Sequence, residues 1–290
     1  MADTASGHVA GRVAAGAAAA GPLAAARART SLVLAGVAVI AASRLADGPA
    51  AWAVGGMLTA AILLGALQVF AAGDPETRAA GVPIESLFLP AVASFAAVGT
   101  MKLVPVGLGL VVAVVGAAVL LDRVVGLEAR LLAEARGARE EDRTRVIGAA
   151  MVVAFLAFAG TAALVPGGLP EPGRGGSALG EAELVLLTCV DALAAGLIGY
   201  RIASLRVSTV RAAFSSAITY AAVIGIGAGA VRATDIPRLI GPALLALVFF
   251  LWNAFHAPPS GRRLDPRWLA QVVVLLALGA VVVAWNLGLR

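Results

Sequence analysis

Long apolar stretches recur along the chain and are separated by short segments that contain Gly, Pro and charged residues. A helix needs about 20 mostly apolar residues to cross a bilayer, and Gly and Pro end helices and form turns. The pattern therefore predicts an all-α, polytopic membrane bundle of about nine helices, with eight to ten as the range. The predicted spans lie near 30–46, 50–72, 84–104, 105–121, 146–166, 183–203, 212–231, 239–257 and 268–288.

The composition agrees with a membrane protein and excludes several other classes. Hydrophobic residues make up 60% of the 290 positions and charged residues 13%, against about 45–50% and about 25% in ordinary soluble domains. A soluble globule and a disordered chain are both excluded. The net charge of +5 comes from basic residues scattered between apolar runs, whereas nucleic-acid binding needs a continuous basic face. We expect the lipid bilayer, and no nucleic acid, as partner.

The distribution of basic residues predicts the orientation of the spans. With the N-terminus in the cytoplasm, 16 of the 22 basic residues fall in cytoplasmic segments and four in outer ones, while Arg44 and Lys102 lie within spans. Such an excess marks the cytoplasmic side. We expect residues 1–28 to be a mobile cytoplasmic tail and residues 29–290 to be a single transmembrane domain. The strong preference for Arg over Lys, with abundant Ala, Gly and Val, indicates a bacterial plasma membrane.

The longest predicted cytoplasmic connection, 122–145, carries six Arg and six acidic residues. Val124, Leu127 and Leu131 recur in it at helical spacing. We expect the segment to continue the fourth helix or to lie at the membrane surface. A helix that docks a protein partner is the alternative.

Small residues four positions apart predict where helices touch, because helices in lipid associate through close backbone approach. Gly225 and Gly229 have this spacing in the seventh span, and Gly109 and Ala113 have it in the fourth. We expect these four residues to be helix-packing surfaces. A gating hinge at Gly225 and Gly229 is the alternative.

Asp191 is the most informative single residue, because helical rise places it about 12 Å inside the predicted sixth span, close to the midplane. A carboxylate there costs at least about 2.5–3.5 kcal/mol and usually faces a partner inside the bundle. The predicted partners are Lys102, Arg44 and Thr188, which together with Asp191 form the predicted substrate- or ion-binding site. A structural role, in which Asp191 holds helices together by hydrogen bonds, is the alternative.

Signatures of enzymes and metal sites are missing from the sequence. The single cysteine and two histidines exclude a cysteine-based metal cluster and a zinc site of the HExxH type. Length and span number resemble those of membrane prenyltransferases. However, the places where that family carries aspartate-rich motifs read QVFAAGD at 68–74 and RIASLR at 201–206. We therefore expect no catalytic residue, no metal and no cofactor.

Three functions are compatible with these features. The first is a transporter or permease with a polar site around Asp191, whose small-molecule or ion substrate the sequence does not identify. The second is a non-catalytic membrane scaffold or accessory subunit that binds a partner through 122–145. The third is a membrane enzyme that modifies lipids.

Overall fold

The computed structural model describes most of the chain, and every regular element in the described part is a helix. The predicted tail at 1–28 lies outside the described residues up to position 23. The predicted ninth span, 268–288, lies outside them except for five helical positions. The described residues are 24–73, 77, 79, 81–133, 140–169, 179–233, 239–256, 273, 274, 277, 279 and 281.

The first eight predicted spans each correspond to a helix. Seven of these helices are long and apolar enough to cross a membrane, and the eighth is apolar but has 17 residues. The prediction of a multi-pass helical membrane bundle is confirmed. The helices are α1 (Ala24–Leu45), α2 (Pro49–Gly73), α3 (Ile84–Met101), α4 (Leu108–Ala133), α5 (Glu140–Leu164), α6 (Glu181–Ser204), α7 (Val210–Ala233) and α8 (Ile240–His256).

Turn chemistry explains where α2 begins. Gly48 has φ of +54°, a left-handed conformation that glycine adopts without steric cost. Pro49 then occupies the first helical position, where its missing N–H costs no hydrogen bond. Pro105, where the predicted fourth span starts, lies in the link between α3, which ends at Met101, and α4, which begins at Leu108.

The centre of the bundle is formed by α3 and α5. Within the best membrane-spanning window of each helix, 72% of α3 and 56% of α5 is buried, against 22% of α4 and of α7. The two central helices cross with their backbones in contact. A Cβ atom on Gly99 would clash with the backbone of Gly160, and one on Gly160 would lie 2.6 Å from the carbonyl oxygen of Ala96. Glycine on both helices therefore allows the two backbones to approach closely at this crossing.

The predicted packing residues differ in their surroundings. A Cβ on Gly225 would lie 3.4 Å from Ala192 of α6, and Ala113 is half-buried against the core. By contrast, a Cβ on Gly229 would meet no described atom within 4 Å. Gly109 is exposed, and its Cβ would contact only Val104 of the preceding link. Among the described residues, neither Gly229 nor Gly109 closely contacts another helix, so helix packing at these two positions stays a prediction.

Candidate functional site

Two ends of the bundle are distinguished by charge. We call the end that carries Arg29, Arg123, Arg130, Arg145 and Arg201 the arginine-rich end, and the opposite end the arginine-poor end. Helices α2, α4 and α6 end at the former, and α3, α5 and α7 end at the latter.

Asp191 lies on α6 and is completely buried in an ion pair. Its Oδ2 atom accepts a hydrogen bond from Nη2 of Arg232 at 2.5 Å, and its Oδ1 atom accepts one from Oγ1 of Thr161 at 2.7 Å. Arg232 is in the last turn of α7, and Thr161 is in the last turn of α5. Asp191 is the eleventh of the 24 residues of α6, close to the middle of that helix, where it binds side chains from the last turns of α5 and α7.

The Arg232 side chain points inward, away from the arginine-poor surface. Because Gly225 of α7 packs beside Ala192 of α6, the Cα atom of Arg232 is about 10 Å further along α7 than the level of Asp191. Only 4% of its side chain is exposed. Nη1 donates to the carbonyl oxygen of Gly168 at 3.4 Å, and the buried Nε has no hydrogen-bond acceptor among the described residues. The guanidinium is thus dehydrated, and its principal compensation is the carboxylate of Asp191.

The partners predicted for Asp191 are wrong, because Arg232 and Thr161 occupy both of its oxygens. Thr188 is half-buried and does not bond to the carboxylate. Lys102 and Arg44 interact with the backbone at the arginine-poor end instead.

Lys102 and Arg44 each cap the helix on which the other lies. Nζ of Lys102 donates to the carbonyl oxygens of Arg44, at 3.0 Å, and of Ala46. Nη1 of Arg44 donates to the carbonyl oxygen of Met101 at 2.5 Å. The last carbonyls of a helix lack intrahelical donors, and cations are favoured there. Lys102 also pairs with Asp47 at 2.8 Å, which holds the pKa of that exposed carboxyl below its usual value.

A second buried ion pair joins Arg201 of α6 to Glu128 of α4 near the arginine-rich end. Nε of Arg201 donates to Oε1 of Glu128 at 2.9 Å, and Nη2 donates to Oε2. Nη1 donates to Oγ of Ser204 at 3.2 Å. The side chain of Glu128 is fully buried and that of Arg201 is 7% exposed. Such two-point contact between a guanidinium and a carboxylate is both strong and directional.

The two ion pairs share α6 but hold it to different neighbours. Asp191 and Arg201 are ten residues apart, or about 15 Å along the helix. Asp191 is bound by α7 and α5, and Arg201 by α4. Each pair has no net charge, which lowers the free-energy cost of burying it inside the bundle. Removing one member of such a pair costs about 3–5 kcal/mol, because the other charge is left buried.

A third polar contact lies at the arginine-rich end, between α7, α8 and the link that follows α6. Oδ1 of Asn253 accepts hydrogen bonds from the hydroxyl of Tyr220 at 2.9 Å and from Nη1 of Arg206 at 3.0 Å. Partial burial lowers the pKa of Arg206, and the contact with Tyr220 opposes that shift. The contact ties α8 to the rest of the bundle.

Sequence reasoning missed Arg232, Thr161, Glu128 and Arg201. Arg232 is one residue beyond the predicted seventh span, so its position in the sequence indicates a loop residue. For Glu128 a signal was present, because it occupies the same helical face as Val124 and Leu131. An acidic residue on an otherwise apolar stripe indicates a buried partner.

The described parts of the segment 122–145 belong to two helices of the bundle. Residues 122–133 complete α4 and residues 140–145 begin α5. Its apolar face packs inside the chain, since Val124 and Leu131 are buried. The described part of 122–145 therefore contributes to the core of the bundle.

Neither metal-ligating side chains in the described part of the chain nor known proteins identify a site. Within the described residues, no three His, Cys, Asp or Glu side chains lie together so that they could hold a metal ion. The chain matches no protein-family model, no curated protein and no solved structure.

Proposed function

We propose that this protein is a membrane transporter or permease in which the two ion pairs of α6 close the translocation pathway at opposite ends. The observation that carries the proposal is that one helix holds both Asp191 and Arg201, each buried and each paired with a different helix. Ionisable residues inside membrane proteins typically belong to substrate or ion pathways.

Alternating access requires one end of a pathway to open while the other stays closed. A buried ion pair suits this task, because it is stable when intact and exposes two charged groups when its helices separate. Separation of α7 from α6 would free the carboxylate of Asp191 for a cation or a polar substrate. Separation of α4 from α6 would free Arg201 at the other end. The substrate in this proposal is a small molecule or an ion.

A non-catalytic scaffold or accessory subunit is the second candidate, and the completeness of the Asp191 site favours it. Both carboxylate oxygens accept hydrogen bonds from protein groups, and the residue has no exposed surface. In a scaffold, the two pairs only hold helices together. The two candidates differ in whether breaking one pair changes the other end of the bundle.

A cysteine reporter between the two pairs tests this difference. Ala195 lies on α6 between Asp191 and Arg201 and is fully buried. We would replace it by Cys in a Cys189→Ala background and label it with an impermeant maleimide. The reagent would be added to intact cells and, separately, to inverted membrane vesicles. Glu128→Gln breaks one pair and Asp191→Asn the other.

The transporter proposal expects a reciprocal result. Glu128→Gln should permit labelling only from the arginine-rich side, and Asp191→Asn only from the arginine-poor side. The matched control is Asp122→Asn, which breaks a half-exposed pair with Arg29 and should leave the reporter protected. Equal labelling from both sides, or continued protection in both variants, would contradict the transporter and favour the scaffold.

We further infer nine spans, a cytoplasmic N-terminus and a bacterial plasma membrane. The support is the excess of arginine in the segments on one side of the spans. In this orientation the arginine-rich end faces the cytoplasm, and Asp191 lies in the outer half of the bundle.

A further inference from the structure

A cleft of about 680 Å³ opens at the arginine-rich end between α1, α4 and α5. This size falls in the range of small-molecule sites. None of the four residues of the two α6 ion pairs lines this cleft. Its lining consists mostly of charged side chains, namely Arg29, Asp122, Arg123, Arg130 and Arg145, together with Gly126 and Leu127.

Positive charge in the cleft exceeds the negative charge available to it. Arg145 is paired with Glu141 at 2.5 Å and with Asp142 at 3.3 Å. Arg123 and Arg130 are exposed. The four arginines and the three acids that pair with them (Asp122, Glu141 and Asp142) leave a net charge of +1 at the cleft, and Arg123 and Arg130 are the two arginines without an acidic partner among the described residues.

Arg29 adds hydrogen-bond donors to the interior of the cleft. Its Nε lies 2.9 Å from Oδ1 of Asp122, but the geometry is that of a charge contact, and Nε is buried without a hydrogen bond. Nη1 lies against Gly126, where a Cβ atom would be only 2.7 Å away. The absence of a side chain at position 126 therefore lets the guanidinium lie close to α4, with N–H groups available to an anion.

An apolar cavity of about 240 Å³ adjoins this cleft and shares Arg29, Gly126 and Arg130 with it. The rest of its lining comes from α1, α2 and α4 and is hydrocarbon. These residues are Ala25, Ala26, Val69, Phe70, Gly73, Ala129, Leu132 and Ala133. The two cavities together form one amphipathic site, cationic on one side of Arg29 and apolar on the other.

We propose that this site binds the phosphate group of an anionic amphiphile, with part of an acyl chain in the apolar cavity. Guanidinium groups bind phosphate through paired, charge-assisted hydrogen bonds. Basic pockets between membrane helices at the cytoplasmic side bind anionic lipid headgroups. A phospholipid such as phosphatidylglycerol has both parts, whereas free phosphate would fill only the cationic cleft. The proposal does not depend on the transporter function.

Native mass spectrometry of the purified full-length protein tests the proposal, with phosphatidylglycerol, phosphatidylcholine and inorganic phosphate as separate probes. The double variant Arg123→Gln/Arg130→Gln removes the two arginines that lack an acidic partner among the described residues, and Ala129→Leu narrows the apolar cavity. Arg211→Gln is the matched control, because Arg211 is exposed at the same end but does not line the cleft.

We expect phosphatidylglycerol to bind at least tenfold more tightly than phosphatidylcholine. The double variant should weaken it by roughly 10- to 30-fold, since each arginine near an anionic headgroup contributes about fivefold. Ala129→Leu should weaken the binding of phosphatidylglycerol without affecting that of inorganic phosphate. Arg211→Gln should change the affinity for neither probe. Unchanged affinity in the double variant would overturn the phosphate site. If inorganic phosphate binds as tightly as the lipid and Ala129→Leu has no effect, the proposal that the ligand is an amphiphile is wrong.

Discussion

The buried pair of Asp191 and Arg232 allows a quantitative test of the architecture. In Asp191→Asn, the amide can still accept a hydrogen bond from Arg232 through oxygen and donate one to Thr161 through nitrogen. The closed arrangement therefore keeps its hydrogen-bond partners, and the main loss is the charge attraction that stabilises it. Arg232 is left with 4% of its side chain exposed and without a counter-charge. This situation costs about 3–5 kcal/mol.

The second variant of the cycle, Arg232→Met, should be destabilised by a similar amount, because it leaves the carboxylate of Asp191 buried alone. The double variant Asp191→Asn/Arg232→Met buries no charge. Neutral replacements of a buried pair are often tolerated, so we expect its free energy of unfolding within about 1 kcal/mol of the parent.

Unfolding in mixed detergent micelles, followed by circular dichroism, measures these differences. At roughly 2–4 °C per kcal/mol, each single variant should lower Tm by about 6–20 °C, and the double variant should recover most of the loss. Asp122→Asn is the control, since its pair with Arg29 is more than 30% exposed on both sides and contributes at most about 1 kcal/mol. A stable Asp191→Asn protein, or a double variant less stable than either single one, would refute the reasoning.

Three further predictions follow from the packing, the caps and the orientation. Gly160→Leu should abolish folding or lower Tm strongly, because the new side chain would overlap the backbone of α3. Gly229→Leu should change Tm by only a few degrees, because no described atom lies near that position. Equal effects of the two variants in a thermal melt would contradict the close crossing of α3 and α5. Lys102→Met should destabilise by about 1–3 kcal/mol through unsatisfied helix-end carbonyls, and Asp47→Asn much less. Since the pKa of Asp47 is lowered from 3.8, its contribution is present above that value and is lost only as pH falls through the lower, folded-state pKa. The difference in Tm between Asp47→Asn and the parent should thus be constant from pH 8 to pH 5, and a change within that interval would exclude the pairing. In a Cys189→Ala background, Arg123→Cys should resist an impermeant maleimide added to intact cells while Asp47→Cys reacts; the reverse pattern would invert the orientation.

The helices themselves followed from local information, and so did several of their ends, although α4 continues 12 residues past 121 and α5 begins six residues before 146. An apolar run of membrane length forms a helix wherever it lies in the chain, because its backbone has no other hydrogen-bond partner in lipid. Hence 183–203 predicted α6 (Glu181–Ser204) and 50–72 predicted α2 (Pro49–Gly73) within two residues at either end. Breakers such as Gly48 and Pro49 act on their own neighbours, and their effect is equally visible in the sequence.

Contacts between helices were less accessible. Small residues four positions apart allow two helices to approach closely, but they do not show which helix face makes the contact. The pattern at Gly225 and Gly229 therefore predicted two contacts where only Gly225 meets a described neighbour. The crossing of Gly99 with Gly160 depends on which two helices become central, and this is a property of the whole bundle.

The sequence alone determined that Asp191 must have a partner, and only the tertiary structure decided which one. The need for a partner is local, since it arises from the cost of a carboxylate in an apolar helix. The choice depends on the arrangement of helices 30 and 41 residues away along the chain, which carry Thr161 and Arg232. From their predicted depth in the membrane, Lys102 and Arg44 were equally plausible partners of Asp191. Helix packing instead placed Lys102 beside the end of α1 and Arg44 beside the end of α3. The Arg232 side chain points inward, because a buried guanidinium at the end of α7 is stabilised most by the nearest buried carboxylate.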